Sequence, residues 1–262
     1  MSRNTLESQH LSVGYAQKPI VKELSIAPPK GKITVILGAN GCGKSTLLKS
    51  LAGLLKPSSG IVTLENRRLT NYRPKELARK LGLLPQSPIV PEGIRVADLV
   101  ARGRFPYQKF MQGLTKDDYR KVEEALELLG IAHLADIPVE ELSGGQRQRV
   151  WIALAIAQDT EFLLLDEPTT YLDIAYQVEI LDILKEINKK RTTTIVMVLH
   201  DINLSVRYAD HIIAMKEGQL VAQGTPETLI TKELMKEIYG LECQVFPDPV
   251  SGAPWVIPLS GH

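Results

Sequence analysis

At 262 residues the chain can bury a sizeable core as one large domain or two small lobes. Its 44% hydrophobic and 23% charged residues exclude a disordered chain. Lys and Arg number 31 against 30 Asp and Glu, a net charge of +1 with the signs interspersed. No basic stripe is therefore left to release counterions from a nucleic-acid backbone, and no nucleic-acid partner is expected. The two cysteines, Cys42 and Cys243, form neither a disulfide framework nor a metal-ligand spacing and fit a reducing cytoplasm. Residues 1–10 have no apolar core behind Arg3, and no run approaches the roughly 18 apolar residues that cross a bilayer. Any membrane role is expected to come through a partner.

In chain order, residues 10–15 and 21–26 predict strands that join 61–64 in an antiparallel arrangement. The short β-branched run 33–37 predicts a buried parallel strand, followed by a helix over 44–54. Residues 88–157 change character: 96–102, 115–130 and 145–157 have helical period, with Pro or Gly at the breaks. Two further buried strands, 162–165 and 194–199, are each followed by a helix, 174–189 and 204–209. Residues 248–259, with three prolines, predict an irregular tail. The alternation of strand and helix is that of an α/β doubly wound layer. The expected fold is one unit over 1–262: a parallel-sheet catalytic core of 1–87 and 158–262 with an antiparallel β subdomain, and an inserted helical subdomain of 88–157.

Gly38-Ala39-Asn40-Gly41-Cys42-Gly43-Lys44-Ser45 follows a predicted strand and opens a helix, the context a phosphate loop requires. Its glycines let successive N–H groups turn inward around phosphate oxygens, and the helix start adds partial positive charge. Lys44 reaches the outer phosphates of ATP, Ser45 offers a hydroxyl to Mg²⁺, and Thr46 adds a phosphate contact. The fold class is thus that of a P-loop NTPase. Cys42, a thiol at a helix start inside this loop, predicts a lowered pKa and raised reactivity that bound nucleotide should shield.

The strand over 162–165 runs into Asp166 and Glu167, where open α/β sheets place their ligands. Two adjacent acids need two tasks: Asp166 to hold the hydration shell of Mg²⁺, and Glu167 to polarise the attacking water as general base. Leu142-Ser143-Gly144-Gly145-Gln146 precedes a helical run and forms a second anion-accepting helix start without a lysine of its own.

This pentapeptide, the phosphate loop and the acidic strand together resemble the ATP-binding-cassette (ABC) ATPases over nearly the whole chain. The resemblance implies a head-to-tail homodimer in which Ser143, Gly144, Gly145 and Gln146 of one protomer close over the γ-phosphate held by the loop of the other. It also implies roles at single positions. Gln86 looks like the glutamine that links the nucleotide site to the partner contact and joins Ser45 and Asp166 about the metal. Asp173 resembles the aspartate that crosses the dimer interface, His200 the switch histidine that reaches the γ-phosphate, and Tyr15 the aromatic that stacks on adenine. Ala39 departs from the proline many members carry, which loses a pre-set φ and removes no phosphate donor.

Permease subunits docked through the helical subdomain and the loop at 86–91 are implied as partners, with an extracytoplasmic binding protein acting indirectly. The chain would then lie on the cytoplasmic face of the cell membrane. The stretches 100–106, 167–173 and 198–203 resemble the iron-chelate and vitamin B12 branch of importers, and 248–252 the ferric-siderophore members. Relatives that act on DNA or the ribosome as non-transport switches would need a long heptad insert, zinc-type cysteine pairs or a second cassette, none of which this sequence has. A non-hydrolysing regulator would not need Lys44, Glu167 and His200 together.

Overall fold

The computed structural model describes residues 5–15, 18–86, 90, 92–109, 111–170 and 172–259. Of the segments singled out from the sequence, residues 1–4, Ser87, Pro88, Ile89 and Pro91 of the expected docking loop, Phe110 and Tyr171 lie outside the described residues. The chain divides into two compact units, one of residues 1–71 and 194–262, the other of residues 72–193.

In the first unit, β1 (Leu6–Tyr15) and β2 (Lys18–Ile26) pair antiparallel, and β3 (Ile33–Leu37) leads through the glycine-rich loop into α1 (Lys44–Leu51). β4 (Ser59–Leu64) and β5 (Arg67–Arg68) complete a four-stranded antiparallel sheet in the order β2-β1-β4-β5. In the second unit follow α2 (Pro74–Ala78), β6 (Leu81–Leu84), α3 (Val96–Ala101), α4 (Lys116–Leu128), α5 (Gly144–Ala157), β7 (Phe162–Asp166) and α6 (Ile174–Arg191). The chain then re-enters the first unit with β8 (Thr194–Val198), α7 (Ile202–Tyr208), β9 (His211–Lys216), β10 (Gln219–Gly224), α8 (Pro226–Leu229), α9 (Lys232–Tyr239), β11 (Cys243–Pro247) and β12 (Pro254–Pro258).

Every residue of β3, β7 and β8 is buried. A strand covered on both faces cannot alternate polar with apolar, so the unbroken aliphatic runs are what these positions demand. In the first unit β3 lies between β8 and β9, parallel to both, with Ile36 opposite Val198. In the second unit β6 and β7 are parallel, with Leu84 opposite Leu165. These two registers decide which loops leave their strands side by side.

The helices start where their caps allow. The Thr115 and Ser143 hydroxyls each accept the N–H three residues on, and their own backbone N–H groups donate in return to the side chains of Asp118 and Gln146. Asp201 caps α7 by accepting the Leu204 N–H at 2.7 Å, so this helix begins at Ile202, two residues before the apolar period suggests. In the second unit Arg104 and Asp118 form a buried ion pair at 2.9 Å, and the guanidinium also donates to the Ala157 carbonyl at the end of α5.

The expected irregular tail over 248–259 is corrected: β12 pairs residue for residue with β11, from Cys243 opposite Pro258 to Pro247 opposite Pro254. Prolines are excluded from central strands because they donate nothing to the ladder, but Pro254 and Pro258 close the two ends of a two-stranded ribbon where that donor is dispensable. The turn is built by Asp248, whose carboxylate accepts the Val250 N–H at 3.0 Å and the Ser251 hydroxyl, with Gly252 at φ 74°.

Candidate functional site

The phosphate loop hangs between β3 and α1, and three glycines make its shape. Gly38, Gly41 and Gly43 have φ of 151°, 80° and 106°, values that side-chain-bearing residues rarely adopt. At Gly38 space forbids a side chain as well: a Cβ would lie 2.3 Å from the Met215 carbonyl oxygen and 2.7 Å from the Cys42 sulfur. Asn40 and Gly41 are exposed, Ala39 and Ser45 half-buried, and Lys44 and Thr46 buried. The Lys44 ammonium donates to the carbonyls of Gly38 at 2.7 Å and Ala39 at 3.1 Å, so it spans the loop that it closes.

His200 sits two residues past Val198, as Ala39 and Gly38 follow Ile36 and Leu37. The β3–β8 register therefore brings the histidine out at the same sheet end as the phosphate loop, with its side chain exposed. Tyr15 ends β1 opposite Lys18 and is 46% exposed, which leaves a ring face open.

In the second unit the β6–β7 register does the same for Gln86 and Glu167, each two residues past a paired leucine. The Gln86 amide donates to the Glu167 carboxylate at 2.5 Å, and the Thr170 hydroxyl donates to the same oxygen at 3.3 Å. Glu167 is held at φ 57°, a left-handed conformation that is costly for a residue with a side chain and typical of functional turns. Asp166, one residue earlier, is the last residue of β7 and is buried.

Ser143 caps α5, exposed, and Gly145 stands where a Cβ would press on Leu172 at 3.2 Å. Gly144, Gly145 and Gln146 form the first turn of α5. That turn opens on a cavity of about 350 Å³ walled by His133, Arg149 and Tyr176. Asp173 caps α6 by accepting the Tyr176 N–H at 3.1 Å and is exposed. The first unit accordingly assembles Tyr15, the phosphate loop and His200, and the second Gln86, Asp166, Glu167, Asp173 and the Ser143 turn.

Cys42 corrects an expectation. Burial pushes its thiol above the ordinary range, outweighing the lowering effect of Lys44 and of nearby backbone N–H groups. The helix start alone suggested the opposite, because the sequence does not say that the side chain turns inward beneath Gly38. Sequence reasoning also missed Tyr239, whose phenol oxygen accepts the Gly38 N–H at 3.1 Å across 201 positions of chain. A tyrosine at the end of an amphipathic helix carries no local signal of such a task.

A family model described as ABC transporter matches residues 21–170, more than half of the chain. The chain belongs to the ABC transporter family. This ABC chain is 50% identical to the probable siderophore transport system ATP-binding protein YusV of Bacillus subtilis (strain 168), over 98% of its own length and 94% of that protein. Among solved structures it is similar to an inward-facing putative metal-chelate type ABC transporter, with a TM-score of 0.83 and 30% identity, covering 99% of this chain and 98% of that one. It is similar also to a dimeric bacterial ABC transporter cassette, with a TM-score of 0.75 and 28% identity over 84% of this chain and 98% of that one. Among the described residues of this ABC chain no helix is long and apolar enough to cross a membrane.

Proposed function

We propose that this chain is the ATP-hydrolysing subunit of an importer for ferric siderophores or a related iron chelate, working as a head-to-tail homodimer on the cytoplasmic face of the membrane. The observation that carries the chemistry is Glu167, buried, conformationally strained and bonded by Gln86 and Thr170 at the end of an acid-tipped strand. Full-length likeness to a siderophore transport ATP-binding protein supports the cargo class. A switch acting on DNA or the ribosome has no such support.

Lys44 exchanges the Gly38 and Ala39 carbonyls for the outer phosphate oxygens of ATP, which balances their charge. Glu167 accepts a proton from the attacking water as that water closes on the γ-phosphorus, and the Gln86 and Thr170 bonds fix the carboxylate for that task. His200 donates to the γ-phosphate and the Ser143 turn of the partner protomer covers it. Ser45, Gln86 and Asp166 present a hydroxyl, an amide oxygen and a carboxylate, the hard oxygen donors that suit Mg²⁺, which neutralises phosphate charge when bound. Closure of the dimer moves the helical region, residues 88–157 in this reading, and permease subunits seated there follow. Tyr15 stacks on the adenine and Asp173 contacts the partner.

The test has two arms. Purified protein should release phosphate from MgATP and lose that activity in Lys44→Ala. Deleting the gene should abolish uptake of a ferric siderophore and leave uptake of unrelated nutrients intact, and the protein should co-purify with membrane permease subunits. Undiminished siderophore uptake in the deletion strain would overturn the cargo assignment.

A further inference from the structure

Gly38 is the first glycine of the phosphate loop, and two polar groups hold it, one at its carbonyl and one at its N–H. Its carbonyl accepts the Lys44 ammonium at 2.7 Å, and its N–H donates to the Tyr239 phenol at 3.1 Å. The two bonds differ in what nucleotide does to them. Lys44 belongs to the phosphates once ATP is present, so its grip on Gly38 is given up on loading. The Tyr239 bond is made at the Gly38 N–H, not at the carbonyl that Lys44 leaves, so it does not depend on the lysine.

Tyr239 is well placed to stay. It is the last residue of α9, whose Leu234, Met235 and Ile238 are buried, and Gly240 caps the helix at φ 67° by donating to the Lys236 carbonyl. Burial pushes the phenol up to about 12, so its oxygen is a neutral acceptor throughout the physiological range. The segment beyond α9 is anchored a second time in the same unit: Asn203, in the first turn of the helix after His200, accepts the Val256 N–H at 2.8 Å and donates to the Val256 carbonyl at 3.1 Å.

We infer that Tyr239 is a positioning residue for ATP hydrolysis, its hydroxyl holding Gly38 and thereby the phosphate loop in the shape that receives the nucleotide once Lys44 has left the Gly38 carbonyl. This rests on the loop being the ATP site, as proposed above. Without the phenol oxygen, the Gly38 N–H must find water by distorting the loop, and ATP binding must reverse that distortion. The penalty falls on nucleotide binding and leaves the saturated rate untouched.

Tyr239→Phe keeps the ring and deletes the oxygen. Amide exchange at Gly38, read by NMR on the nucleotide-free full chain, should quicken about tenfold or more. KM for MgATP should rise about fivefold while kcat stays within about twofold and the melting temperature within a few degrees. A purely structural role would lower the melting temperature and leave KM alone. Unchanged Gly38 exchange overturns the inference, and so does faster exchange with an unchanged KM. A wild-type Gly38 amide exchanging as fast as the exposed Gly41 overturns it without any variant. Wild-type protein that hydrolyses no ATP condemns the functional reading instead, and the amide measurement still reports on the bond.

Discussion

A general base must be fixed against thermal wandering, and in the proposed mechanism Gln86 and Thr170 do this for Glu167 by donating to its carboxylate. Glu167→Gln preserves the volume and removes the proton acceptor, so kcat should fall by about 10² or more while the Kd for MgATP changes by less than about threefold. Phosphate release and equilibrium nucleotide binding measured side by side check this; a variant with near-normal turnover sinks Glu167 as the base. Cys42 makes the converse point, since its burial beneath Gly38 leaves little thiolate at neutral pH. Iodoacetamide at pH 8 should label Cys42 at least about tenfold more slowly than a cysteine in an unstructured peptide, with or without MgATP. Labelling at the peptide's rate would show an open, reactive thiol.

At the scale of elements, the Arg104–Asp118 pair ties the start of α4 to the end of α5 inside the second unit. Arg104 also lies over the Tyr107 ring at 3.9 Å from its centroid. Burial raises the Asp118 carboxyl, but bonds from the Thr115 hydroxyl and N–H and from Arg104 outweigh it and hold the group below the usual range. A depressed folded-state pKa means that this stabilisation is complete above the unfolded value of about 3.9 and lost as pH falls through the folded one. Asp118→Asn leaves a buried guanidinium uncompensated and should cost about 3 kcal/mol in urea unfolding at pH 7, with a gap to wild type that narrows below about pH 4. An equal gap at pH 3 and pH 7 would contradict it.

The same scale shows what was legible in advance. The strands at 33–37, 162–165 and 194–199 could be read because a two-sided burial forces an aliphatic run, and their ends could be read as functional because glycine, acid or histidine follows at once. The β11–β12 ribbon could not, because its prolines are tolerated only at ribbon ends, a fact of pairing that no local pattern displays. α7 was legible except for its cap, and Tyr239 was hidden because its partner lies 201 positions away. Cys42 was placed in the right loop with the wrong ionisation, since the orientation of a side chain is decided by what packs over it.

For the whole molecule, the Ser143 turn offers N–H donors without a lysine, while the phosphate loop carries the lysine, so in the proposed head-to-tail dimer each protomer would lend a different half to each ATP. That division predicts complementation. In a Glu167→Gln background, which should occlude ATP without cleaving it, Lys44→Ala cripples one half and Ser143→Arg the other. Neither double variant alone should retain ATP or run on gel filtration as a species of twice 29.0 kDa. Mixed, they pair a sound loop from one chain with a sound Ser143 turn from the other, and the mixed dimer should occlude a single ATP. Radiolabelled nucleotide retained through gel filtration measures this. If the mixture holds no more ATP than its components, each protomer's site is its own and the shared-site reading fails.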